Sequence, residues 1–266
     1  MFPYVYIFGR QVAVYSLCAL AGIFAVFLCG RRIAPRRGLR PEDMPVLALL
    51  CVIPALIGGS LLYGLTNLPY LQSVLAARAS YADFSSFFWD AAAAFEGLVF
   101  YGGMLAVVLT VFIYARVRKQ PVGGYLDVLA VCIPLFHAFG RIGCFCAGCC
   151  FGVACPIGFT FTSSPNVFAN DVTRFPVQLL ECACNVIIFL VLLRMFGKRR
   201  FEGELLYVYF LAYGSVRFLD EFLRGDSYRG FLGPLSTSQW ISLVLIAVAL
   251  WKLYGRRSLP VRQAQK

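Results

Sequence analysis

Long apolar runs separated by short polar connections repeat along the whole chain. They extend from Val12 to Gly30, Met44 to Leu65, Gly97 to Ala115, Tyr125 to Phe139, Val177 to Phe196, Glu204 to Phe222 and Gln239 to Tyr254. Runs of this length match the span of a membrane helix, so the pattern predicts an all-α membrane protein of about seven transmembrane helices. The fourth run is short, contains Pro134 and meets Arg141. Irregular backbone at membrane depth persists only against protein or a wet cavity, so a site is expected there, with an outer loop over about 141–176. From Asn67 to Glu96, Tyr70, Tyr81, Phe84, Phe87, Phe88 and Trp89 are mixed with Asp83, Asp90 and Glu96, which reads as an outer amphipathic arm at the interface (about 67–96). No internal repeat is visible, and 1–266 reads as a single polytopic domain.

Composition agrees with this pattern and changes the meaning of the charge. The chain has 266 residues, 60% of them hydrophobic, and a mean hydropathy of +0.76, so a lipid bilayer is its expected solvent. The net charge of +11 does not point to nucleic acid, because no basic helix stands free of the apolar segments. The first run is long enough to span and is followed by arginines rather than a small-residue cleavage site, so it is expected to stay as a helix. Alternate connections carry Arg31, Arg32, Arg36, Arg37 and Arg40, then Arg116, Arg118 and Lys119, then Arg194, Lys198, Arg199 and Arg200, then Lys252, Arg256, Arg257, Arg262 and Lys266. The positive-inside rule makes that side cytoplasmic and puts the N-terminus outside. The remaining seven of the 24 basic residues are all arginine: Arg10, Arg78, Arg141, Arg174, Arg217, Arg224 and Arg229. A planar guanidinium binds phosphate bidentately, which suits an outer side that handles phospholipid headgroups.

Two stretches carry candidate chemistry. In the first, His137, Gly140, Arg141, Gly143, Cys144, Cys146, Gly148, Cys149, Cys150 and Gly152 crowd the end of the fourth helix. An intramembrane arginine marks a substrate or ion path. His137 precedes it by one turn, shares its face, and as the single histidine is the natural general base. In the second, Arg217, Glu221 and Arg224 are spaced so that Glu221 holds both guanidinium groups on one helix face. Cys18, Cys29, Cys51, Cys132, Cys182 and Cys184 lie within apolar runs and read as packing. Cys144, Cys146, Cys149, Cys150 and Cys155 cluster, with a C-x2-C pair at Cys146 and Cys149 that lacks a partner pair. A disulfide on the oxidising side is favoured over a metal, and no metal or other cofactor is expected.

Taken together these stretches resemble the prolipoprotein diacylglyceryl transferase family over nearly the whole chain. The resemblance rests on Tyr15, Gly58-Gly59, Tyr101-Gly102-Gly103, Gly140-Arg141-Ile142-Gly143, Phe175-Pro176-Val177-Gln178-Leu179-Leu180-Glu181, Arg217 with Glu221 and Arg224, and Ser238-Gln239-Trp240. It implies an enzyme of the bacterial inner membrane that moves a diacylglyceryl group from phosphatidylglycerol to a prolipoprotein lipobox cysteine and releases glycerol-1-phosphate at the outer leaflet. Arg141 and Arg217 then correspond to the arginines that bind phosphatidylglycerol, and His137, close to Arg141, is expected to substitute for the family's histidine as the thiol base. Glu221, Arg224, Tyr101, Gly102, Gly103, Tyr15, Gln178 and Glu181 line the substrate. Tyr101 stands where the family's H-G-G begins, Ser60 replaces the arginine of its G-G-R, and Cys144 replaces the asparagine of its G-R-x-x-N. A phospholipid-binding or translocating protein without catalysis, and a membrane thiol-redox protein, are the alternatives.

Overall fold

In a computed structural model, residues 2–198, 201–226 and 230–255 are described. Strands β1 (Tyr4–Ile7) and β2 (Arg10–Ala13) form an antiparallel hairpin ahead of helix α1 (Val14–Ile33). Phe8 and Gly9 both take positive φ, which gives the two-residue turn its fit to strand twist. Helices α2 (Asp43–Leu50) and α3 (Val52–Thr66) make one apolar stretch broken at Cys51. Pro54 explains the break, because it offers no N–H to the carbonyl one turn back. Helices α4 (Leu68–Ala76) and α5 (Phe84–Ala93) follow, then α6 (Phe100–Val117) and α7 (Val122–Ala147). A loop carries strands β3 (Ala154–Thr160) and β4 (Thr173–Arg174). Helices α8 (Val177–Met195) and α9 (Glu204–Asp220), the short hairpin β5 (Phe231–Leu232) and β6 (Leu235–Ser236), and α10 (Thr237–Gly255) complete the chain.

Six of these helical stretches are long and apolar enough to cross a membrane: Val14–Arg37, Asp43–Thr66, Phe100–Val117, Val122–Ala147, Val177–Met195 and Thr237–Gly255. The seventh expected segment forms α9, which has 17 residues, about 26 Å at 1.5 Å per residue. It packs against α7, α8 and α10. Large apolar side chains such as Leu20, Phe24, Ile53, Leu109, Ile187 and Trp251 stand exposed on the outside of the bundle. A surface of this kind fits lipid rather than water.

Helix α7 is the axis of the bundle, touching α1, α6, α8 and α9. The sequence places its end near Phe139 and the loop from Arg141, yet the helix continues to Ala147 and the loop starts at Gly148, which caps it in the left-handed conformation at φ 71°. Arg141 does not interrupt the helix because its charge is met from α8, as described below. Pro134 is likewise accommodated within α7. At the opposite end of α7, Asp127 accepts from the Leu205 N–H at 3.1 Å and faces Arg37 at 3.5 Å. Tyr125 donates to Asp43 at 2.5 Å. That end gathers the basic residues that close α1, α6, α8 and α10.

Helices α3 and α6 cross with their backbones in contact. A Cβ on Gly58 would lie 2.5 Å from the Gly102 carbonyl oxygen, and one on Gly102 would lie 2.1 Å from that of Gly58. Gly103 faces the Ala55 carbonyl at 2.9 Å by the same measure. Small residues allow helices to approach this closely without a hydrophobic driving force. Between these helices, α4 and α5 expose Tyr70, Leu75, Phe84, Phe88 and Trp89. Asp83 caps α5 by accepting from Ser86 N–H at 2.7 Å, which lowers its pKa. Tyr81 donates to Asp90 at 2.6 Å, and that bond pushes its pKa up to about 12.

Candidate functional site

Polar side chains from five helices converge at the end of the bundle remote from the basic cluster. On α7, His137 and Arg141 stand one turn apart and face the same way, as their spacing predicts. Both meet Glu181 of α8: Arg141 Nη2 lies 2.7 Å from Oε1, and His137 Nε2 lies 3.5 Å from the same oxygen. Tyr213 of α9 donates to that oxygen at 3.2 Å. Glu181 is fully buried, and His137 and Arg141 are 5% and 6% exposed. The His137 ring stacks on Phe100 at 3.8 Å and meets Tyr213 edge-on at 5.1 Å, so its plane is fixed.

A second polar group adjoins the first. Arg217, also buried, pairs with Glu221 at 2.6 Å and donates to Ser238 Oγ at 3.3 Å. Ser242 Oγ donates to the Ser238 carbonyl at 2.8 Å and shares a 2.6 Å hydrogen bond with the Tyr101 hydroxyl. The Tyr101 and Tyr213 rings, 5.8 Å apart and edge to face, join the two groups. The positive charges of Arg141, Arg217 and Arg224 all act on Glu181. Several atoms here are buried without a hydrogen-bond partner: His137 Nδ1, Arg141 Nε, Gln178 Oε1, Glu181 Oε2, Asn185 Oδ1, Arg217 Nη1 and Asp220 Oδ2. Buried polar atoms are normally satisfied, and so many in one place mark capacity for a polar ligand.

The other expected residues are distributed unevenly. Gln178 donates to the Cys149 carbonyl at 2.8 Å and so ties the loop after α7 to α8. Tyr15 covers Gly143, where an added Cβ would come within 3.0 Å of its ring. Gly102 and Gly103 serve the α3–α6 crossing. The clamp in which Glu221 holds both arginines does not form. Helix α9 ends at Asp220 and a tighter 3-10 turn over Glu221–Leu223 rotates the chain, so Arg224 leaves the shared face and pairs bidentately with Asp226 at 2.8 and 2.5 Å. Arg224 also bridges to Gly152, which pins the α9 end to the loop. Arg174 is a loop residue too, lying 4.1 Å over Phe151 and donating to the Phe168 carbonyl at 2.6 Å. Arg229 lies outside the described residues.

Sequence reasoning missed Tyr213, Asn185, Asp220 and Ser242. The signal for Asn185 was present, since Gln178, Glu181 and Asn185 form an i, i+3, i+7 polar stripe on an otherwise apolar helix.

All eleven cysteines are free thiols, so the clustered five form no disulfide, the arrangement rated above a metal. Cys144, Cys149 and Cys150 gather, and Cys146 is not one of the group although it belongs to the C-x2-C pair. Hydrogen bonds with Cys144 and Cys149, then the facing Arg224 and Arg141, hold the Cys150 thiol well below its usual pKa.

The prolipoprotein diacylglyceryl transferase family model matches residues 3–254, which is almost the entire described chain. The chain belongs to this family. Among curated members, the phosphatidylglycerol–prolipoprotein diacylglyceryl transferase of Clostridium tetani is 30% identical, with 92% of this chain and 93% of that protein covered. The Clostridium perfringens protein named phosphatidylglycerol–prolipoprotein diacylglyceryl transferase 2 is also 30% identical, with 94% and 95% covered. The Cupriavidus metallidurans transferase is 31% identical over 88% of this chain and 85% of its own. The match therefore runs through every helix that contributes to the polar group, and family membership makes the chain a transferase.

Proposed function

We propose that this chain transfers a diacylglyceryl group from phosphatidylglycerol to a prolipoprotein lipobox cysteine at the outer leaflet of the bacterial inner membrane. One observation carries the reading: Arg141 of α7 and Arg217 of α9 are both buried beside Glu181, and each keeps a guanidinium nitrogen without a partner. Two fixed cations with free donors suit a phosphodiester, whose leaving phosphate gains charge as its bond to the glyceryl carbon breaks. With α9 counted as a seventh crossing, the positive-inside rule supports an outer-leaflet position for this group.

His137 supplies the base in this scheme. Its Nε2 faces Glu181, and its Nδ1 has no partner and accepts the proton of the acceptor thiol, with the carboxylate stabilising the imidazolium. The sulfur then attacks the glyceryl carbon. A C–S bond forms, the C–O bond to phosphate breaks, and glycerol-1-phosphate leaves with that electron pair. No metal or nucleotide enters the scheme. Tyr101, standing where the family has histidine, is held by Ser242 and serves in positioning.

Mass analysis of a lipobox peptide incubated with the purified chain and phosphatidylglycerol tests the reading. A diacylglyceryl mass gain on the cysteine supports it. Retained phosphatidylglycerol without any gain would instead support lipid binding alone, and a change only in cysteine oxidation would support thiol exchange.

A further inference from the structure

Three of the cysteines form a group that the transferase scheme does not use. Cys144 sits in the last turn of α7, Gly148 caps the helix with φ 71°, and Cys150 takes φ 54°, a left-handed value uncommon outside glycine. These two left-handed residues fold the chain back on the helix end. As a result the sulfur atoms of Cys144, Cys149 and Cys150 all lie within 4.8 Å of one another. The backbone between them is fixed from two sides: Gln178 donates to the Cys149 carbonyl at 2.8 Å, and the Cys149 N–H donates to the Cys144 carbonyl at 3.1 Å.

From this geometry we propose that Cys144, Cys149 and Cys150 constitute a three-thiolate binding site for a thiophilic d10 cation, zinc(II) or copper(I). Metal–sulfur bonds of about 2.3 Å put three thiolates around one ion about 4 Å apart, so the observed group closes on a cation with sulfur shifts of under about 1 Å. Thiolate ligands select such soft ions over magnesium or calcium. Binding of zinc(II) converts three thiols to three thiolates and releases three protons, with no change of oxidation state. The ligand set is Cys144-x4-Cys149-Cys150, a spacing that works only because the helix cap reverses the chain. Cys146 and Cys155 lie outside it. A disulfide would use two of the three sulfurs and consume an oxidant, whereas a cation uses all three as they stand. The proposal stands independently of the transferase reading.

The test uses the full chain in detergent, reduced, freed of reductant and kept anaerobic. Zinc(II) and, in a parallel arm, copper(I) are titrated against a chromophoric chelator, with magnesium(II) as the hard-ion control. One equivalent of zinc(II) or copper(I) per chain is expected, with none of magnesium, and X-ray absorption of the loaded protein should show three sulfur neighbours. Loss of a mere outer-shell partner costs ten- to a hundredfold in metal affinity. Removing a ligand by Cys149→Ser or Cys150→Ser should therefore weaken binding by more than about a hundredfold, while Cys146→Ser and Cys155→Ser leave it unchanged. In case a variant fails to fold, alkylation of the wild-type chain gives an independent reading, because bound metal should protect Cys144, Cys149 and Cys150 alone. Absence of stoichiometric uptake by the reduced chain, uptake indifferent to Cys150→Ser, or protection mapped elsewhere would overturn the proposal.

Discussion

Arg141 of α7 and Glu181 of α8 meet at 2.7 Å with both side chains buried, and this pair allows a charged helix to continue through the membrane region. Removing one member of such a pair leaves an uncompensated buried charge, at a cost of about 3–5 kcal/mol. Arg141→Ala should therefore lower the thermal stability of the detergent-solubilised protein, and Arg141→Ala combined with Glu181→Gln should recover part of that loss. Equal melting temperatures for the single and double variants would mean that the pair does not carry the α7–α8 contact.

Activity should separate charge from shape at the same position. Arg141→Lys keeps the cation but loses the planar fork, so it should cost roughly 1.5–3 kcal/mol, the range of a charge-assisted hydrogen bond, or about ten- to a hundredfold in transfer rate. Arg217→Ala should nearly abolish transfer while the chain remains inserted. Rates compared at equal protein abundance decide the matter: activity close to wild type in either variant would remove the headgroup role of the arginines.

The glycines make a sharper structural contrast. A methyl group at Gly102 would sit 2.1 Å from the Gly58 carbonyl oxygen and must push α3 and α6 apart, whereas one at Gly140 meets nothing within 4 Å. Gly102→Ala should lower the melting temperature. Gly140→Ala should leave it unchanged or raise it, since alanine is favoured over glycine within a helix by up to about 1 kcal/mol. Similar melting temperatures for the two variants would contradict the close crossing.

Orientation is open to protease mapping in intact cells. Tags at Arg36 or after Lys266 should be protected from protease added outside, and a tag near Ala79 should be cut. Cleavage at Arg36 would reverse the proposed topology.

Much of the fold was legible because lipid demands uninterrupted apolar stretches, and the runs that begin near Val12, Val177 and Gln239 correspond to α1, α8 and α10. The end of α7 was less legible, because Gly140, Arg141 and Gly143 look like a break when read locally, and only the partner carboxylate 40 positions later keeps the helix intact. The meeting of His137 and Arg141 followed from helical spacing. The split of Arg217 from Arg224 did not, since nothing in their spacing announces a change from α to 3-10 geometry at Glu221. The cysteines show the same limit: a C-x2-C pattern counts positions along the chain, while the left-handed cap at Gly148 selects which sulfurs meet.

The α3–α6 crossing also governs the segment between them. Val99 N–H donates to the Gly59 carbonyl at 3.1 Å, Phe95 presses on Gly64, and Tyr63 presses on Gly97. Both feet of the intervening α4–α5 excursion are thus riveted to one another, like the two ends of a buckle. Swinging the excursion away like a door would first require prying two backbones apart. Helices α3 and α6, with the excursion between them, thus form one tied wall of the bundle.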